Sequence, residues 1–125
     1  VQTTVEYPVV RLMAKDSLDM TDDDRKTIAA MCAAVPQNQI LITHGTDTMD
    51  KTSKTIALKK LRKTIVITGA SQPAVVRGSD ADFNVGFALA SALLVDPGVY
   101  VAMNGRLHLW NKFKKNPSTG IFEAV

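Results

Sequence analysis

Short, nearly continuous apolar runs alternate along this chain with longer stretches in which apolar positions recur every three or four residues. The first kind is expected of strands buried on both faces of a parallel sheet, the second of helices that cover those faces. Val9, Val10, Leu12 and Met13 form the first run and predict a buried strand. Thr21 then offers a cap, and Asp22, Asp23 and Asp24 place acids in a first helical turn. Ile28, Met31, Cys32 and Val35 follow at helical spacing until Pro36 closes the helix. Gln39 to Thr43 read as a second strand that gives way to a turn at Gly45, after which Met49, Ile56, Leu58 and Leu61 lie along a second helix. Thr64 to Thr68 make a third strand, and Phe83 to Leu94 a mostly apolar helix ending before Pro97 and Gly98. Val99 to Met103 make a fourth strand, with Asn104-Gly105 as a turn and Arg106 to Trp110 as its hairpin partner. This order predicts an α/β fold, a three-layer α/β/α sandwich with a mainly parallel sheet. A length of 125 residues is one domain's worth, so residues 1–125 are expected to form a single domain.

Composition narrows the function more than the fold. With 46% apolar and 22% charged residues the chain is of globular type. Its apolar runs fall well short of the roughly 20 residues of a membrane span, and no basic, then apolar, targeting segment opens it. The single Cys32 excludes an internal disulfide and fits a cytoplasmic setting. The net charge of +3 comes largely from Lys59–Lys63 and Lys112–Lys115. Such runs are commonly solvated helix ends and loops, which argues against nucleic acid as the partner. Two histidines, His44 and His108, with no acid or thiol at ligand spacing give no metal site, and no phosphate-binding glycine motif is present, so no cofactor is expected.

The stretch Ile40 to Met49 is the place to look for chemistry, because the carboxyl ends of strands in an open α/β sheet face the ligand crevice. Thr46, Asp47 and Thr48 would sit there; Thr46 or Asp47 could equally serve as the cap of the next helix. The loop Ser71–Asp82 also follows a strand and is longer than a simple connection needs.

His44-Gly45-Thr46-Asp47-Thr48-Met49, followed by an acid and Lys-Thr, resembles the substrate-binding signature of the bacterial-type L-asparaginases, the Thr-dependent amidohydrolases. The resemblance extends in order to Lys15-Asp16-Ser17-Leu18-Asp19-Met20, Thr68-Gly69-Ala70-Ser71-Gln72-Pro73, Ser79-Asp80-Ala81-Asp82-Phe83-Asn84 and Lys114-Lys115-Asn116. It implies an asparaginase-like N-terminal α/β domain in which Thr46, Asp47 and Lys114 match a Thr-Asp-Lys triad. Such a triad would hydrolyse the side-chain amide of asparagine or a related molecule to a carboxylate and ammonia. Lys114 is preferred to Lys115 on the Lys-x-Asn register. By the same resemblance Ser17 contacts the substrate carboxylate, the backbone carbonyl of Ala70 lies near the amide, His44 is support rather than nucleophile, and Asp80 and Asn84 support a helix start.

Three departures matter. Leu18 stands where the family usually carries Gln, Ala81-Asp82 replace its usual Gly-Pro, and the opening Thr-Gly-Gly-Thr-Ile strand and turn that carries the primary nucleophile occurs nowhere in these residues. Nor is there room for the family's smaller C-terminal domain. The chain by itself is therefore expected to show little activity. The alternative reading is a catalytically silent domain that binds a small amino acid or self-associates. The apolar circumference of the helix Phe83–Leu94 predicts a homo-oligomer.

Overall fold

The computed structural model describes residues 2–125. Its centre is a four-stranded sheet in the order β1-β2-β3-β4, built from Gln39–Thr43 (β1), Thr64–Thr68 (β2), Gly98–Met103 (β3) and Arg106–Leu109 (β4). The first three strands are parallel, Ile40 lying beside Ile65 and Ile65 beside Val99; β4 returns antiparallel to β3. All of β2 is buried, which is why Thr64–Thr68 carries no polar side alternation. The two-residue turn into β4 has positive φ at Asn104 (54°) and Gly105 (78°), the tight hairpin geometry predicted from Asn-Gly.

The pleat divides the core into two layers. Ile65, Ile67, Val99, Val101 and Met103 face the helices Asp22–Ala34 (α1) and Met49–Ala57 (α2), which contribute Ile28, Cys32, Met49 and Ile56. Val66 and Ala102 face the opposite way, onto Ala88 and Ala92 of the helix Ala81–Leu94 (α3). The result is the α/β/α sandwich expected. Helix α1 starts on a reciprocal capping box: Thr21 accepts from the N–H of Asp24, and the Asp24 carboxylate accepts from the N–H of Thr21. Lys15 pairs with Asp24 at 2.8 Å and ties the preceding segment to the helix.

Two expectations fail. Val9–Met13 is not a strand: Val9 is 80% and Val10 59% exposed, and neither belongs to any ladder. The reason lies at the sheet edge. Strand β1 is paired on one side only, and a groove of about 950 Å³ separates its outer edge from the extended segment 5–15. Met31 and Cys32 of one helical layer and Leu89 and Leu93 of the other line this groove, and no ladder joins residues 5–15 to β1 across it. Helix α2 is also shorter than predicted. It ends at Ala57, and Lys60 takes a left-handed φ of 53°, so Leu61 packs on the core from outside the helix.

A second, two-stranded antiparallel sheet, Phe113–Lys115 (β5) and Phe122–Ala124 (β6), was not anticipated. Its aromatic residues anchor it: the Phe113 and Phe122 rings stack at 5.7 Å, Phe122 is buried, and Phe113 lies 5.9 Å from His108 of β4.

Candidate active site

The carboxyl ends of β1 and β2 come together tightly. His44 N–H continues the ladder to the Thr68 carbonyl at 2.9 Å. A Cβ on Gly69 would fall 2.1 Å from the His44 carbonyl oxygen and 2.8 Å from the Met49 methyl, so this position admits no side chain. A Cβ on Gly45 would sit 2.7 Å from Ser17 Oγ. The bare backbone of Gly45 is what lets the short 3-10 turn Ser17–Asp19 nest against the loop after β1.

Ser17 is buried there. Its Oγ accepts from the N–H of Asp47 at 3.1 Å, and its carbonyl accepts from Thr48 Oγ1 at 3.0 Å. The bond from Asp47 uses one of the hydroxyl's two lone pairs and leaves its proton free to be donated to a ligand. Thr48 is the residue that precedes α2, and its hydroxyl serves Ser17 rather than the helix, so neither Thr46, Asp47 nor Thr48 caps α2 through its side chain. The capping role open to Thr46 and Asp47 in the sequence is not the one they take; their side chains are turned to a lysine.

That lysine is Lys115. Its Nζ donates to Thr46 Oγ1 at 2.9 Å and to Asp47 Oδ1 at 2.8 Å, bridging residues almost seventy positions earlier in the chain. Lys114, the residue carried over by register, does not reach them. It is exposed and stands opposite Glu123 in the β5–β6 ladder. Strand alternation explains the slip: Phe113 turns toward the core, so Lys115 shares its face and Lys114 takes the other. The hairpin that delivers Lys115 is fixed by Asn116, whose Nδ2 donates to Glu123 at 2.7 Å and whose Oδ1 accepts from the N–H groups of Ser118 and Thr119. Lys115 and Asp47 keep 28% and 42% of their side chains exposed, so the pair contributes little to stability and its value is positional.

His44 is a structural neighbour of this cluster. A carbonyl can only accept, so Nδ1 donates to Gly45 O at 2.6 Å and Nε2 accepts from the hydroxyl of buried Thr52 at 2.7 Å. Burial pushes its pKa below the ordinary value, the Gly45 carbonyl opposes this, and the charge of Arg25 adds to the lowering. His108 is lowered as well, by burial and then by Arg106. Both are therefore favoured neutral in the folded state. The unfolded chain binds more protons as the pH drops below about 6.5, so stability is complete above that value and declines through the window beneath it. We expect the Tm to fall between pH 7.5 and pH 5.5, and the His44→Gln variant to lose part of that slope. The lowered pKa values of Asp24 and Asp80 act only in the acid range below about 4 and do not enter this window.

At the end of β2, the Gly69 carbonyl accepts from Asn84 Nδ2 at 2.9 Å, while Asp80 accepts from the N–H groups of Ser71 and Gln72. The loop so held borders an open pocket of about 520 Å³ together with Asn104 and Gly120. Leu18 is 70% exposed beside the Ser17 turn and offers a ligand no polar group. Among the described residues no group of three or more His, Cys, Asp or Glu could hold a metal ion.

An open, mainly parallel sheet with a threonine, a carboxylate and a lysine gathered beyond its strand ends defines an α/β domain of the kind that seats small molecules at that edge. The chain belongs to the asparaginase family: the family model described as Asparaginase, N-terminal, matches residues 1–124. It is 36% identical over 90 residues to the L-asparaginase of Thermococcus kodakarensis, covering 69% of this chain and 27% of that one. It is 35% identical over 99 residues to a probable periplasmic L-asparaginase of Haemophilus influenzae, covering 73% and 28%. Among solved structures, the thermostable L-asparaginase from Thermococcus kodakarensis superposes with a TM-score of 0.86 at 30% identity, over 91% of this chain and 37% of that one. A probable cytoplasmic L-asparaginase from Campylobacter jejuni gives 0.79 at 29% identity, over 88% and 38%. The chain thus spans little more than a quarter of the length of these sequence relatives.

Proposed function

We propose that this chain is the substrate-binding N-terminal domain of an amidohydrolase that converts the side-chain amide of asparagine, or a related small amide, to a carboxylate and ammonia. The observation that supports this best is Lys115 Nζ bridging Thr46 Oγ1 and Asp47 Oδ1 at the strand ends. A threonine hydroxyl is a weak nucleophile, and a weak activator of water, until a base removes its proton. Lys115 is placed to take that proton when its amine is neutral, and Asp47 to hold the resulting ammonium in position. We assign the first attack on the amide carbon to the hydroxyl of the upstream strand and turn, which forms a C–O ester bond, breaks the C–N bond and gives its proton to the departing ammonia. A water activated by Thr46, with Lys115 as the base, then breaks that ester C–O bond, giving the carboxylate and returning a proton to the leaving hydroxyl. Ser17, through its hydroxyl, and the Ala70 carbonyl are the groups we assign to the substrate's carboxylate and amide. No cofactor is needed.

Ammonia release from L-asparagine is the test. Because no Thr-Gly-Gly-Thr-Ile run occurs in these 125 residues, we expect little release from this chain alone, and release restored when a strand and turn of that pattern is joined upstream. No release in either form would refute the reading; strong turnover by the chain alone would make Thr46 itself the nucleophile.

A second reading, self-association, is favoured by α3, where Phe83 (62%), Leu93 (43%) and Leu94 (84%) are exposed. Sedimentation equilibrium at tens of micromolar is expected to give a species heavier than 13.5 kDa; a strict monomer would remove this reading. We assign the protein to the cytoplasm, as the Campylobacter relative is named. No helix among the described residues is long and apolar enough to cross a membrane.

A further inference from the structure

The hydrogen bonds of Asp80 reach further than the start of α3. Both of its carboxylate oxygens accept from the N–H of Ser71 at 3.0 Å, and Oδ1 also accepts from the N–H of Gln72 at 3.2 Å. In a planar trans peptide the N–H and C=O point in opposite directions. Ser71 N–H and Ala70 C=O belong to one such unit, so the bond to Asp80 turns the Ala70 carbonyl away from Asp80. Asp80 stands at the start of α3, on one face of the sheet, whereas Thr46 and Asp47 lead into α2 on the other. Away from Asp80 is therefore toward the Thr46 side of the crevice.

Asn84 keeps Asp80 in place. It is fully buried; its Nδ2 donates to Asp80 Oδ2 at 3.0 Å and to the Gly69 carbonyl at 2.9 Å, and its Oδ1 accepts from the N–H of Asn104 at 2.9 Å. The carbonyls on both sides of the Gly69–Ala70 link are thus set, one by each residue. A side-chain amide can donate two N–H bonds to a fixed carbonyl, whereas a carboxylate donates none and is repelled by it.

We infer that Asp80, braced by Asn84, is a positioning residue that aims the Ala70 carbonyl at the ligand and so sets the preference for an amide over the corresponding acid. This rests on the amide-site reading above. The test is the ratio of L-asparagine to L-aspartate affinity, measured calorimetrically for the 125-residue chain and its Asp80→Asn and Asp80→Ala variants. The two variants lose the same charge, but only Asn keeps an oxygen that can accept from Ser71, so a general effect of charge cancels between them. We expect Asp80→Ala to shift the ratio about tenfold against asparagine, the worth of one hydrogen bond, and Asp80→Asn to shift it by less than about threefold. Should Asp80→Ala fail to give the native circular dichroism spectrum, Asp80→Leu makes the same comparison, because it is close to Asn in shape and carries no acceptor. Equal shifts in the variants, or an unchanged ratio in each, overturn the assignment while leaving the amide-site reading intact. A parent chain that binds neither amino acid overturns both.

Discussion

Replacing Lys115 by Met in the form that carries the upstream strand and turn is expected to lower kcat by roughly 10²–10⁴-fold, the usual contribution of a positioned proton-transfer group, with KM little changed. Lys114→Met in the same background should leave both constants within about twofold of the parent. The contrast follows from the β5–β6 hairpin. Lys115 lies 2.9 Å from the hydroxyl of Thr46 and 2.8 Å from the Asp47 carboxylate, while Lys114 is on the opposite face of the strand. The pair with Asp47 is partly exposed, so removing Lys115 should shift folding stability by less than about 1 kcal/mol, and lost rate cannot be ascribed to lost fold. Steady-state kinetics on the two variants, with a thermal melt of each, checks this. Equal losses in both variants, or a loss confined to Lys114→Met, would show that the hairpin register in solution is not the one described.

The largest effect on stability is expected from Gly69→Ala. The new methyl would lie 2.1 Å from the His44 carbonyl oxygen, and that oxygen cannot retreat cheaply. His44 N–H is bonded to Thr68, and its ring is bonded on both nitrogens. The ends of β1 and β2 must part instead. Overpacking of side chains typically costs 1–3 kcal/mol; a backbone collision belongs at or above the top of that range, about 3 kcal/mol or more, against a total stability of roughly 5–15 kcal/mol. A Tm lower by roughly 10 °C or more is the expected reading. Gly86→Ala supplies the control: nothing lies within 4 Å of its Cβ position, it sits inside α3, and the substitution should stabilise by about 0.5–1 kcal/mol.

The parts of the fold legible in the sequence were those whose signal is local. Thr64–Thr68 is apolar throughout because helices cover both of its faces, and Asn104-Gly105 names its own turn through the positive φ both residues adopt. Val9, Val10, Leu12 and Met13 make an apolar run around Arg11 yet form no strand, because a strand also needs an edge to pair with, and a groove stands between this segment and β1. Pattern reports what a segment can bury and is silent on whether a partner is in reach. The β5–β6 hairpin was overlooked because its strands are only three residues long and the lysines made the first of them read as a solvated run. The signal that could have corrected it was present in Phe113: once that ring is taken as facing inward, period-two alternation selects Lys115 over Lys114. At Asp80 and Asn84 the motif marked the place, but the role followed only from seeing which backbone groups they hold.

The crevice beyond Thr46 is expected to take a small amino acid. Titration of L-aspartate into the 125-residue chain, followed calorimetrically, tests that directly. We expect saturable heat in the millimolar range or tighter, sharply reduced in Ser17→Ala and little changed in Thr46→Ala. The absence of heat with aspartate, asparagine and glutamine alike, from a chain whose circular dichroism shows the fold intact, would contradict it.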